Sequence, residues 1–113
     1  MGPPSSSNAA LGELTDVLGA EGARVVVRSF LQSFPSMLHE LARGDRERSR
    51  RAAHGLKSSA RQMGALALSE QMAAIERRLG IPDEKVTAAD LAAVAANFAE
   101  TAVPLRAFVK NGR

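Results

Sequence analysis

Apolar side chains recur at helical spacing along nearly the whole chain. Leu11, Leu14 and Leu18 form a short first stripe. They predict a helix over residues 9–18, with Asn8 as its N-cap and Gly19 as its stop. Val27, Phe30, Leu31, Phe34, Leu38 and Leu41 then follow the i, i+3, i+4, i+7 pattern of one long helix over residues 21–42. Val26 and Met37 widen that stripe towards the short first helix. The stripe keeps its phase across Pro35, which predicts a kink there. The opposite face is polar: Arg28, Ser29, Gln32, Ser33 and Ser36. Gly44 and Asp45 stop this helix and cap the next.

A third helix is expected from residue 45 or 46 to residue 63, with Ser49, Ala52, Ala53, Leu56, Ala60 and Met63 inward. Gly64 marks the turn into a fourth over residues 65–79, whose stripe is Ala65, Leu68, Met72, Ile75 and Leu79. Residues 80–83 read as a loop. Thr87 and Asp90 resemble a capping box opening the last helix. Its expected inward residues are Leu91, Val94, Phe98, Val103, Leu105 and Phe108, with Pro104 kinking or ending the regular part. Short connections between long helices predict an all-α fold, an up-and-down four-helix bundle with a short additional N-terminal helix. The bundle is expected over residues 9–110, between a disordered tail (1–8) and a frayed end (111–113).

Composition agrees. The apolar residues are mostly Ala, Leu and Val, with four Phe and no Trp or Tyr, which is poor strand material. A length of 113 residues bounds the chain to one domain with a small core. The absence of cysteine excludes disulfides, thiolate catalysis and cysteine-zinc sites. The first residues lack the basic and apolar regions of a secretory signal, and no stretch approaches the ~20 apolar residues of a membrane span. A soluble, cytoplasmic protein without membrane association is expected. The net charge of +3 and a pI near 10.2 suggest an anionic partner. No glycine-rich phosphate loop is present, and there is no room beside the bundle for a kinase domain.

The candidate chemistry lies on the third helix. At ~100° per residue, His54 falls about 140° from the centre of the apolar stripe, on the solvent side. Its helical neighbours are Arg50, Arg51, Lys57, Ser58 and Arg61, all cationic or hydroxylic, and Glu47 is the only acid expected near that face. A neutral imidazole in such a setting has a lone pair free to act as a nucleophile. The cations and the Ser58 hydroxyl suit an incoming phosphoryl group. No acid stands at helical spacing to complete a hydrolytic dyad. Gly55, Ser58, Ser59 and Ala60 leave the backbone uncrowded, and a glycine inside a helix, costing about 1 kcal/mol, suits close approach by a partner. The ordinary alternative is a solvated histidine on a basic face. A metal site is not expected, because His39 and His54 lack a clustered third ligand.

The run Ala53-His54-Gly55-Leu56-Lys57-Ser58-Ser59-Ala60, then Gly64-Ala65, Leu68 and Ile75-Glu76, closely resembles the histidine-containing phosphotransfer (HPt) domain. Phe30-Leu31, Phe34-Pro35 and Leu38 resemble its second helix, so the likeness covers residues 10–110. The family's usual glycine four residues after the histidine is Ser58 here. The resemblance implies a carrier without kinase activity, similar to the free-standing bacterial members of a multistep two-component phosphorelay. His54 would be phosphorylated, most naturally at Nε2, by the phosphoaspartate of a response-regulator receiver domain fed by a hybrid histidine kinase, and would pass the group to another receiver. Lys57 and Ser58 would stabilise the phosphoryl group, and Gly64 would permit the turn after the histidine helix. No cofactor is implied for this chain; magnesium would sit on the receiver. Docking is expected over Arg50, Arg51, Gly55 and Arg61 of the third helix and Ser29, Gln32, Ser33 and Ser36 of the second. A basic rim there would speed encounter with an acidic receiver. The protein is expected to be a monomer, since no apolar stripe is left over.

Two other functions compete. Arg46-Glu47-Arg48-Ser49-Arg50-Arg51 is a basic run that suits a nucleic-acid helix. Interrupting acids, the low net charge and the missing aromatic platforms argue against nucleic acid. A helical interaction module whose His54 is never phosphorylated would use the same face.

Overall fold

The computed structural model describes residues 6–111. Four helices follow in order: α1 (Ser6–Arg43), α2 (Arg46–Gln62), α3 (Leu66–Leu79) and α4 (Ala88–Asn111), with no strand among the described residues. The connections after α1 and α2 are too short for anything but sharp reversals. α2 therefore packs against both α1 and α3, and α4 closes the bundle against α1 and α3. Of the expected disordered tail and frayed end, residues 1–5 and 112–113 lie outside the described residues. α1 begins at Ser6, so Asn8 does not stand at its start.

α1 is not a straight rod. Gly19 has φ 79° and ψ 167°, a region open essentially to glycine, and two helical segments meet there. Pro35 lies inside α1, and Gly19 is the one interior residue of α1 with non-helical values. Pro104 likewise lies within α4, which continues to Asn111. Both prolines are exposed. The carbonyl that each leaves without an N–H partner is then on the wet side, where water can satisfy it.

The core is continuous from Leu11 to Phe108 and includes Val27, Phe34, Leu41, Leu56, Met63, Leu68, Met72, Val94 and Leu105. Phe34 stacks on Phe98 at 4.1 Å with the planes 6° apart, and Phe30 meets Phe34 edge-on at 5.6 Å, joining α1 to α4. Two expected core positions are exposed, Leu18 at 46% and Val103 at 65%. Ala102 is buried in place of Val103. It stands four residues after Phe98 and three before Leu105, so helical phase overrides side-chain size.

The helix ends are closed by specific residues. Asp45 caps α2 by accepting from the Arg48 N–H at 2.9 Å, and the buried Ser49 hydroxyl donates to the Leu41 carbonyl at 3.0 Å. A Cβ at Gly44 would lie 2.7 Å from the Glu40 carbonyl oxygen, so only glycine fits between α1 and α2. Arg46 donates to the carbonyls of Leu79, Ile81 and Glu84 and so straps the α3–α4 loop to the start of α2. Thr87 and Asp90 cap α4 reciprocally, at 2.8 and 3.0 Å. Asp90 also pairs with Arg78 at 2.9 Å. That guanidinium, with help from the Thr87 N–H, holds the Asp90 carboxyl down at about 2.

Candidate functional site

The rotation of α2 is set by its buried residues. Ala52, Ala53, Leu56 and Ala60 face the core, which turns His54 outward with its side chain 62% exposed. The ring is nevertheless held. His54 Nδ1 lies 2.9 Å from Glu76 Oε2 of α3, and Lys57 Nζ lies 2.7 Å from the other oxygen of the same carboxylate. One carboxylate therefore joins the two side chains. An ionised carboxylate only accepts hydrogen bonds, so this contact assigns the imidazole proton to Nδ1. Nε2 is left with its lone pair directed away from Glu76. Glu76 has its carboxyl held below the ordinary carboxylate range, chiefly by the hydrogen bond from Lys57. Partial burial opposes this and His54 adds to it.

The expectation of a purely cationic and hydroxylic surround for His54 is therefore corrected. Neighbours counted along one helix omit the helix packed beside it. α2 and α3 form a hairpin about Ala65, and residues equally far from that point meet at one level. His54 stands eleven residues before it and Glu76 eleven after. That symmetry, with the Ile75-Glu76 pair already in view, was the available signal for Glu76. The hairpin is fixed by a Schellman closure: Gly64 has φ 77°, its N–H donates to the Arg61 carbonyl at 3.0 Å, and the Ala65 N–H donates to Ala60 at 2.9 Å. Higher up, the Ser69 hydroxyl donates to the Lys57 carbonyl at 3.0 Å and pins α3 to α2 beside the site.

The other candidate residues divide between two sides of α2. Ser58 and Arg61 are exposed on the same strip as His54, and Arg50 is exposed before it. Arg50, Arg51 and Arg61 make no ion pair among the described residues. Arg51 borders a groove shared with Met37 and Glu40 of α1. Gly55 is half-buried and turned towards α1, where a Cβ would lie 2.7 Å from Met37 Cε. Gly55 thus lies between the His54 strip and α1, on the side of α2 that faces Met37. Ser29, Gln32, Ser33 and Ser36 are all exposed on α1. Ser29 and Ser33 meet α2 across a groove bordered by Ser59 and Gln62. Among the described residues, no group of three or more His, Cys, Asp or Glu side chains is placed to hold a metal ion, and no helix is long and apolar enough to cross a membrane.

This arrangement offers an exposed nitrogen lone pair on a ring oriented by a carboxylate, with an ammonium group one helical turn away. The family model described as Hpt domain matches residues 25–103, well over half of the chain. No curated protein and no solved structure gives a match.

Proposed function

Because the chain belongs to the Hpt domain family, whose members are histidine phosphotransfer carriers in two-component phosphorelays and not kinases, we propose that it accepts a phosphoryl group on His54 Nε2 from a receiver-domain phosphoaspartate and returns it to the aspartate of another receiver. The contact that carries this reading is the 2.9 Å approach of Glu76 to Nδ1, which leaves Nε2 as the free nucleophile. In the forward step Nε2 forms a bond to phosphorus as the bond from phosphorus to the aspartate oxygen breaks. The leaving group is the receiver's carboxylate. Positive charge develops on the ring, and the Glu76 carboxylate faces it at Nδ1. The reverse step returns the phosphoryl group and restores the neutral ring, so no proton has to leave the site.

Lys57 lies one turn along α2 and is the nearest cation to complement phosphoryl charge. Its ammonium has three N–H donors and spends one on Glu76 Oε1, so others are available to a phosphoryl oxygen. Ser58 is small and exposed one helical turn after His54, which keeps the approach open. Arg50, Arg51 and Arg61 favour encounter with an acidic partner, and the rate of transfer falls as salt rises. Magnesium belongs to the receiver, whose own site activates the aspartate. The same reading places the protein in the cytoplasm and as a monomer, with receivers and a hybrid histidine kinase as its partners.

Incubation with a phosphorylated receiver carrying labelled phosphate tests the proposal. An acid-labile, alkali-stable label on this chain, lost in His54→Gln with helix content unchanged, is the expected result. Label that persists in that variant, or no label from any receiver of the source organism, overturns it.

A further inference from the structure

Among the described residues the buried polar side chains are two serines, Ser49 and Ser69. The other small buried positions are alanines, such as Ala52, Ala53 and Ala60, which need no partner. A buried hydroxyl without a hydrogen bond is costly, so each serine commits the segment beside it to a defined place. Ser49 donates to the Leu41 carbonyl and joins α2 to α1 at their turn. Ser69 donates to the Lys57 carbonyl at 3.0 Å and joins α3 to α2. That carbonyl already accepts in the helical ladder of α2, so the bond is not needed to satisfy it.

Lys57 is thereby tied to α3 at both ends. Its carbonyl points towards the C-terminal end of α2 and meets Ser69 on the hairpin side. Its side chain tilts the other way and meets Glu76 at 2.7 Å. α3 runs back along α2, and Ser69 and Glu76 lie seven residues apart. That spacing is about 20° short of two full turns and ~10 Å along the axis, so both anchors stand on one stripe of α3. Apart from Ser69, the bonds to Glu76 and Arg46 at the far end, no side-chain hydrogen bond joins α2 to α3 among the described residues. Apolar contacts hold the two helices together without direction. A hydrogen bond, with its preferred distance and angle, sets both slide and rotation. If α3 shifts, the two partners of Glu76 respond unequally. Lys57 has a flexible four-carbon stem that follows the carboxylate. The His54 ring turns on two torsions only, and loses it.

We propose that Ser69 is a positioning residue for transfer at His54: by holding the Lys57 carbonyl it sets the place of Glu76 against Nδ1, and so keeps the lone pair on Nε2. Its kinetic consequence rests on the phosphotransfer reading, while its effect on the ring needs no receiver. Ser69 is buried between α2 and α3 and acts through Glu76.

The test uses the full chain as Ser69→Ala, Ser49→Ala, Glu76→Gln and the combination of Ser69→Ala with Glu76→Gln. Alanine is a better helix former than serine, so α3 is kept. In Ser69→Ala, ¹⁵N NMR of the His54 ring at alkaline pH, where the ring is neutral, shows a raised Nε2-protonated fraction. Single-turnover transfer at saturating receiver slows about fivefold, while the receiver concentration at half-maximal transfer stays within about twofold. Ser49→Ala loses a similar buried bond and similar stability in urea, yet keeps the wild-type tautomer and rate. In the Glu76→Gln background Ser69→Ala slows transfer no further, because the residue it acts through is already altered. The tautomer is read on folded-state resonances, so lost stability alone leaves it unmoved. A wild-type tautomer in Ser69→Ala overturns the proposal. So does equal slowing by Ser69→Ala with and without Glu76→Gln, or equal slowing by Ser49→Ala. Absence of transfer from every receiver to the wild-type chain overturns the underlying phosphotransfer reading instead, and the tautomer then decides the role of Ser69.

Discussion

Replacing Glu76 by glutamine keeps the shape of the side chain and removes its charge. The charge matters most in the transition state of transfer, where His54 acquires positive charge facing Glu76. A carboxylate about 4 Å from a unit charge is worth ~1 kcal/mol in bulk water and ~4 kcal/mol at an effective dielectric of 20. The His54 side chain is 62% exposed, which favours the lower part of that range. A loss of about 1–2 kcal/mol corresponds to roughly five- to thirtyfold slower transfer. The amide can also rotate to present its NH₂ to Nδ1, which stabilises the tautomer with the proton on Nε2 and removes the nucleophile from part of the population. Glu76→Ala removes the tautomer control altogether. The assay is single-turnover transfer from a phosphorylated receiver at saturating concentration, paired with ¹⁵N NMR of the His54 ring. Slowed transfer with a raised Nε2-protonated fraction is expected. Transfer within twofold of wild type in both variants, with an unchanged tautomer, would refute the argument.

Three further outcomes follow from the same contacts. Lys57→Ala slows transfer about tenfold, and because its ammonium is at the surface end of a half-buried side chain, circular dichroism shows a folded bundle. Asp90 is depressed from 3.8 to about 2 in the folded state, so its contribution is complete above pH ~4 and is lost as pH falls towards 2. That shift corresponds to about 2.5 kcal/mol before screening, and roughly 1–2 kcal/mol after allowing for the partly exposed Arg78. Asp90→Asn should therefore lower unfolding free energy by that amount at pH 7 and hardly at all near pH 2, in urea titrations. Phe34→Ala empties the stacked contact with Phe98 and costs about 3–5 kcal/mol, seen as a melting temperature lower by more than ~10 °C.

The bundle was legible because its apolar stripes are long and the breaks between them carry glycine or a capping residue. The rotation of α2 could be read from Ala53 and Leu56, which is why His54 was found on the exposed side. Periodicity along one helix does not show what the neighbouring helix presents to it. Glu76 lies far from His54 in sequence and meets it only through the hairpin. That Gly55 faces the Met37 methyl of α1 is likewise a relation between helices, which no pattern within α2 records. Pro104 does not end α4, because its exposure leaves the freed carbonyl to solvent. Leu18 fitted a stripe, but the turn at Gly19 carries it to the surface.

The measurement that bears most directly on the central claim is the identity of the phosphorylated atom. Long-range ¹H–¹⁵N correlation on the chain phosphorylated by a receiver distinguishes the two ring nitrogens of His54. Phosphorus on Nε2, with Nδ1 still protonated against Glu76, is the predicted result. Phosphorus on Nδ1, or on any residue other than His54, would contradict it.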